Sequence, residues 1–417
     1  MDLNATPGAA VSDAELTALE AAIRGNEPGF LADLERLVNI DCGSYTPEGV
    51  DRVGERVAEL MRASGAAVSH HPDPAGRLGA TVIGTWQGDG MTAGGPRLLL
   101  IGHMDTVFDP GTAAERPFAV DADGIARGPG VTDMKSGLLA GLHALQALVA
   151  AGSLPFERVT YVANPDEEIG SPTSTPHIRE IASESDVCLV LECARANGDI
   201  VSSRKGILDA RVSVHGRAAH AGVEPEKGRS AILAAADLVT RLHGLNGRWD
   251  GVTVNVGVIQ GGTRPNVVAE DCSFEVDLRA VRRADLEAVE AEIRGLLGSL
   301  AVPDVTATLE PMARWWPMEK LERSGRLVDH AQAIARRLGF ELHDAATGGA
   351  SDANTTSGMG VPTIDGLGPI GGMDHSPAEY LEVASIVPRT ALLAGLLLAV
   401  GRDPVVAGWR AAPAAAR

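Results

Sequence analysis

Leu98–Val107, LLLIGHMDTV, runs four apolar residues into Gly102 and then sets His103 and Asp105 one residue apart. On an extended segment, residues two apart share a face. An imidazole and a carboxylate so placed can hold a cation, with Asp105 steadying the ring through its second nitrogen. Two more apolar runs end in the same way: VTYVA leads to Asp166, Glu167 and Glu168, and VCLVL ends at Glu192. Between them GPGVTDMKSG sets Asp133 before a helix that starts near Lys135, and far downstream GGMDHSP offers His375 in a loop. Histidine with carboxylates and no thiolate suits zinc, with manganese or cobalt as substitutes. Gathering Asp105, Asp133, Glu167, Glu168 and Glu192 in one cleft would be strongly self-repulsive without cations. Two divalent ions would supply the opposing charge. A pair of ions about 3.5 Å apart needs a shared carboxylate, and the unique, glycine-flanked Asp133 is the natural bridge. Glu167 and Glu168 diverge as neighbours, so one can ligate while the other takes a proton from water.

These residues need elements that bring them to one place. From Arg97 to Glu192 short apolar runs alternate with helical stretches, the grammar of βαβ units around a mostly parallel sheet flanked by helices. In such a sheet ligands bind outside the carboxyl ends of the strands, where all three runs end. After Lys205 the order becomes βαββαβ, a ferredoxin-like arrangement of two helices on one face of a four-stranded antiparallel sheet. The expected fold class is therefore α/β, with residues 206–316 inserted between the halves 1–205 and 317–417 of a discontinuous metal-binding domain.

Composition narrows the partners. A formal charge of −19 over 417 residues repels nucleic acid and anionic membranes, leaving small molecules or peptides. Cys42, Cys188, Cys193 and Cys272 show no CxxC spacing and read as reduced thiols. The amino-terminal stretch has no basic residue leading into an apolar run, and ALLAGLLLAV is too short to span a bilayer, so a cytoplasmic location is expected. No spacing matches a phosphate-binding loop.

A single strand-end histidine or a Glu-Glu pair is ordinarily a hydrogen-bonded or solvated surface feature. The weight lies in the order of nine stretches: GHMDTV, GPGVTDMKSG, NPDEEIGS, LVLE, HGRAAHAG, RPNVVAE, DLR, TGGASDAN and GMDHSPAEY. Together they resemble the di-zinc amidohydrolases that include glutamate carboxypeptidase, acetylornithine deacetylase and succinyl-diaminopimelate desuccinylase, glutamate carboxypeptidase above all. The resemblance implies a zinc exopeptidase-like catalytic domain and two zinc ions. It makes Asp133 the bridge, His103 and Glu192 ligands of different metals, Glu168 and His375 the remaining ligands, Glu167 the general base and Asp105 the supporting carboxylate. It also implies that His220 stabilises an oxyanion, that Asn266 and Arg279 hold a substrate carboxylate, that Gly349 makes a backbone contact beside the scissile bond, and that the inserted domain forms a lid and a homodimer contact. Arg314 is a candidate for an acidic substrate group. The implied reaction is hydrolysis of a peptide or N-acyl amino acid next to a free carboxylate. A deacylase of the acetylornithine deacetylase or desuccinylase type is the alternative within the class, and a catalytically silent binding protein the alternative outside it.

Overall fold

The computed structural model describes residues 6–88 and 95–409. The chain divides into two compact units, Met1–Ser202 with Lys320–Ala346 and Ser351–Arg417, and Ser203–Glu319 with Thr347–Ala350. The second unit extends beyond the expected insert at both ends and takes in a short return segment.

In the first unit β1 (Ala67–His71), β2 (Thr81–Gln87), β3 (Arg97–His103), β4 (Arg158–Asn164), β5 (Val187–Val190) and the short strand Thr363–Ile364 form a sheet in the order β1-β2-β4-β3-β5-Thr363 strand. β3 pairs in parallel with β4 and β5, and Thr363–Ile364 runs parallel to β5, whereas β1–β2 and β2–β4 are antiparallel. The sheet is mixed, and its parallel half is the half that ends in the candidate ligands. Leu98 to Ile101 are at most 1% exposed, as expected of a strand covered on both faces. Their continuous hydrophobicity is the cause, since neither face meets water.

The helix Ser136–Ala150 follows the Asp133 loop and is apolar almost all round, so it is drawn into the core. It can approach the sheet only because Gly137 and Gly141 share its inner face. A Cβ on Gly137 would lie 1.8 Å from the Leu191 carbonyl oxygen, and one on Gly141 2.5 Å from Leu191 Cδ1. Gly137→Ala is therefore expected to cost about 1–3 kcal/mol by overpacking against backbone. A urea midpoint unchanged from wild type would refute that close approach.

The apolar run near the carboxyl end belongs to a longer helix than anticipated, Val383–Gly401. Its 19 residues have the length and composition of a membrane span, yet 83% of its most apolar window is buried inside the unit. Leu392, Leu393, Leu396 and Leu397 are fully buried and share one core with Leu139, Leu142 and Ile334. A small sheet that the sequence reading did not contain joins Ala119–Val120, Ile125–Arg127, Gly371–Gly372 and Tyr380–Glu382.

The second unit carries β6 (Gly206–His215), helix Ala231–His243, β7 (Thr253–Gly261), β8 (Asp271–Ala280), helix Arg283–Leu297 and β9 (Thr306–Trp315), with sheet order β7-β8-β6-β9 and antiparallel pairing throughout. Leu208, Ala210, Val212 and Val214 alternate with more exposed residues along β6 and pack with Leu238, Leu286 and Val289 of the helices. That period of two is what a sheet with one covered face requires.

Candidate metal centre

Register is what assembles the site. Parallel pairing sets Ile101 beside Val190 and His103 beside Asn164, so the carboxyl ends of β3, β4 and β5 emerge together. His103 is buried, and its Nδ1 lies 3.0 Å from the main-chain oxygen of Asp105. A carbonyl only accepts, so Nδ1 carries a proton and Nε2 is the nitrogen that can ligate once its own proton is displaced. That Nε2 stands 3.2 Å from Asp133 Oδ1 and 3.7 Å from Glu192 Oε1. On the other side of the same carboxylate, His375 Nε2 stands 3.2 Å from Asp133 Oδ2 and 3.1 Å from Glu168 Oε2. Asp133 thus turns one oxygen to each histidine.

The grouping corrects one expectation. The resemblance separates His103 and Glu192 onto different metals, whereas the geometry sets them together on the Oδ1 side, with His375 and Glu168 on the Oδ2 side. The reason is the β3–β5 register, which brings the two strand ends side by side. Glu167 completes a group with His103 and Glu192 in which one ligand atom from each lies within 4.8 Å of the others. Glu167 and Glu168, adjacent in a short 3-10 turn, take different neighbours: Glu167 groups with His103 and Glu192, and Glu168 with the His103–Asp133 pair and with His375.

Asp105 does more than steady His103, whose Nδ1 is also 3.3 Å from its Oδ1. Its carboxylate accepts the Glu167 and Glu168 amide N–H groups at 3.1 and 3.2 Å and the Ser44 hydroxyl at 2.6 Å. The supporting carboxylate therefore positions the glutamate turn as well as the ring. Asp166, first in the acidic run, is taken up by the loop that follows, accepting from the Thr173 N–H and hydroxyl and from the Ser174 hydroxyl at 2.5–2.7 Å.

Two acids that the sequence reading passed over hold the loops. Glu379, 1% exposed, accepts the amide N–H groups of Gly130, Thr132 and Asp133 at 2.9–3.1 Å. It lies at the far end of the His375 loop, so one hairpin both delivers His375 and fixes the backbone of the bridge. Asp352, the second, is bonded to Ser171 and Asn164. Ser351 and Asn354 form a reciprocal N-terminal cap that starts a helix at Asp352, where the stretch reads as a glycine-rich turn.

Electrostatics test whether cations fit. Burial alone would lower the His103 imidazole, yet Glu192, Asp105 and Asp133 push it well above the ordinary histidine range. Hydrogen bonds to Asp133 and Glu168 raise His375 to about 10. Burial drives the Glu167 carboxyl well up, and the charges of Glu192, Asp352 and Glu168 add to it against the opposing pull of His103. Burial raises Asp352 to about 7, with Asp166 and Asp105 adding to it. Positive charge is favoured at two points, one at each oxygen of Asp133. Donors about 2.1 Å from a tetrahedral ion stand about 3.4 Å apart, which matches the spacings of 3.1–3.7 Å found here. The donor set fits two divalent cations.

Residues 99–399 match the profile of the peptidase family M20/M25/M40. The chain belongs to that family. Carboxypeptidase G2 from Pseudomonas sp. (strain RS-16) is 30% identical over 398 residues, 94% of each chain. Succinyl-diaminopimelate desuccinylase from Xanthomonas campestris pv. campestris (strain 8004) is 28% identical over 358 residues, 81% of this chain and 90% of the relative. Among solved structures, aminopeptidase PepT from Bacillus cereus ATCC 10987 superposes with a TM-score of 0.73 at 22% identity, over 90% of this chain and 99% of its own, and so shares the fold. As an M20-family chain the protein is a peptidase or amidohydrolase, of a class that normally binds divalent metals.

The remaining candidates lie in the second unit. His220 and Val267 form a backbone bridge, and the Ala221 N–H donates to the Asn266 carbonyl at 3.0 Å, so His220 and Asn266 stand side by side. Arg279 is near the opposite end of β8, whose first residue pairs with His215. Its Nε and Nη2 bind Asp277 at 2.9–3.1 Å, and its Nη1 donates to the Gly348 carbonyl at 2.9 Å. Neighbouring Gly349 accepts from Arg204 Nη1 at 3.1 Å. The expectation for Arg314 is corrected. Its guanidinium is bound by Glu290 at 2.5 Å and lies 5.1 Å from the Trp316 ring centre, so an internal ion pair occupies it.

Proposed function

We propose that this chain hydrolyses the amide bond of a peptide or N-acyl amino acid beside a free carboxylate, in the manner of carboxypeptidase G2, with two zinc ions. The observation that carries the reading is the Asp133 carboxylate, which turns one oxygen to His103 and the other to His375. His103 and Glu192 would hold one ion, His375 and Glu168 the other, and Asp133 both. The chemistry that bound ions supply is polarisation of the amide carbonyl and acidification of water.

The chain's own residues do the rest. Glu167 takes a proton from the attacking water and passes it to the leaving amine nitrogen. Its buried, acid-surrounded carboxyl supports that use, because a raised pKa makes a carboxylate a competent base near neutrality. His220 Nδ1 accepts the Gly222 N–H at 3.2 Å, so the neutral ring carries its proton on Nε2, as an oxyanion donor must. Arg279 would receive the substrate carboxylate, exchanging part of its Asp277 pair for it. The exposed Val258 and Ile259 on the outer strand β7 support a homodimer through the inserted unit. The four free, buried cysteines support a reducing, cytoplasmic setting.

The reading is tested by a release assay of the metal-loaded protein on dipeptides, N-acetyl amino acids and acyl-glutamates. Turnover of substrates with a free carboxylate, and none of their amidated forms, is expected. Preference for acyl over peptide substrates would favour the deacylase type, for which the desuccinylase relative speaks, and inertness towards all would favour a silent binder.

Protons and cations compete for the same nitrogens. His375 carries its proton up to a pH of about 10 while only Asp133 and Glu168 face it, and it must lose that proton to ligate. Metal affinity is therefore expected to fall as pH falls, about tenfold per pH unit for each proton displaced. Titration calorimetry in buffers of different ionisation enthalpy would count those protons, and binding at pH 7 with no proton release would contradict the competition.

A further inference from the structure

The segment Asn164–Ser171 carries both glutamates of the metal centre, and two buried carboxylates hold it from different points, one by its backbone and one by its side chains. Asp105 accepts the Glu167 and Glu168 amides near its middle. Asp352, 1% exposed, grips its ends: Oδ1 accepts the Ser171 hydroxyl at 2.6 Å, and Oδ2 accepts the Asn164 side-chain amide. Asn164 is the last residue of β4, and Ser171 leaves the turn at φ 54 directly after Gly170 at φ 89. A non-glycine residue in the left-handed region costs about 1–3 kcal/mol and persists where its surroundings over-determine it. Asp352 is itself fixed. It begins the helix Asp352–Gly358, and the capping Ser351 hydroxyl donates at 2.7 Å to Asp365, which is buried and follows the strand Thr363–Ile364.

We propose that Asp352 is a positioning residue for Glu167: by holding Asn164 and Ser171 together it sets the turn so that Glu167 faces His103 and Glu192 while Glu168 faces His375. The inference rests on the reading of Glu167 as general base. Asp352 touches neither the bridge nor a histidine through any hydrogen bond of the described residues, so its effect passes through the Asn164 and Ser171 side chains it holds. The grip needs an acceptor at the oxygen that meets Asn164, because the Asn164 nitrogen can only donate. Asparagine in its place can keep the Asn164 bond, since the Ser171 hydroxyl is able to turn and accept from the new amide. Alanine loses both bonds.

The test compares Asp352→Ala, Asp352→Asn, Ser171→Ala and the double variant Ser171→Ala/Asp352→Ala in the metal-loaded full chain, with Glu167→Gln alongside. The readouts are kcat, KM, metal content and hydrogen exchange over residues 165–173. Misplacing a reacting group by about 1 Å costs about a hundredfold. Asp352→Ala is accordingly expected to lower kcat about 30- to 100-fold, with KM within about threefold and two metal equivalents retained. Ser171→Ala and Asp352→Asn should each lose about 3- to 10-fold, and the double variant should be no worse than Asp352→Ala alone, since the contact is shared. Exchange over 165–173 should quicken in proportion. A kcat for Asp352→Ala within about threefold of wild type, or a loss accounted for by missing metal, overturns the proposal. Where Asp352→Ala does not fold, wild-type kcat and exchange in both milder variants overturn it equally. Activity retained by Glu167→Gln would sink the base assignment instead, and the exchange data would still report on the grip.

Discussion

Glutamine at position 167 is expected to cut kcat by about a thousandfold while both metal equivalents stay bound, the loss typical of removing a general acid–base group. The substitution keeps the shape of the side chain and leaves the backbone contacts alone, since Glu167 is tied to Asp105 through its amide N–H. What disappears is the ability to take a proton. Glu167 stands within 4.8 Å of His103 and Glu192, but in the proposed assignment it is the base and not a ligand, so metal content should not follow activity down. Glu168→Gln should behave in the opposite order. Its carboxylate lies 3.1 Å from His375 Nε2, so the amide would remove charge from one ion's own donor set, and metal loss should precede loss of turnover. Metal analysis and single-turnover kinetics on the same preparations separate the two. If Glu167→Gln kept more than about a tenth of wild-type kcat, the base role would belong elsewhere.

The contrast between these neighbours shows what could be read from the chain and what could not. That His103, Glu192 and the Glu-Glu pair end three strands is local information, written in apolar runs that stop at polar residues. Parallel pairing of those runs follows from the alternation with helices, and the structure gathers the ligands at that edge. Which ligand shares an oxygen of Asp133 with which is not local. It depends on the β3–β5 register, and a resemblance by motif carries no register. The same limit explains Arg314, whose type suits an acidic substrate group but whose partner, Glu290, comes from a helix that folding alone brings beside β9. Asp352 and Glu379 were passed over for a related reason. Each acts by accepting from groups far away in sequence, the Asp133 loop for Glu379 and the glutamate turn for Asp352, and only contact reveals such a role. The small sheet that presents His375 consists of strands of two or three residues, too short for any hydrophobic period to show.

At position 133 an asparagine is expected to reduce bound metal from two equivalents to at most one and to abolish measurable hydrolysis. The argument is one of donors. Both oxygens of Asp133 are in use, Oδ1 towards His103 and Oδ2 towards His375, each at 3.2 Å. Asparagine offers one oxygen and an NH2 group that repels a cation. It also removes the negative charge that makes both positions attractive to positive charge. The protein should still fold. Glu379 holds the loop through the main-chain amides of Gly130, Thr132 and Asp133, and the substitution changes none of them. Asp105→Asn is the graded comparison, since it acts around the ligands and should weaken metal binding only about 10- to 100-fold. Elemental analysis after dialysis at fixed free zinc, with circular dichroism as the check on folding, ranks the two. A folded Asp133→Asn protein that kept both ions would mean that Asp133 does not bridge, and the two-ion site would have to be rebuilt around a different carboxylate.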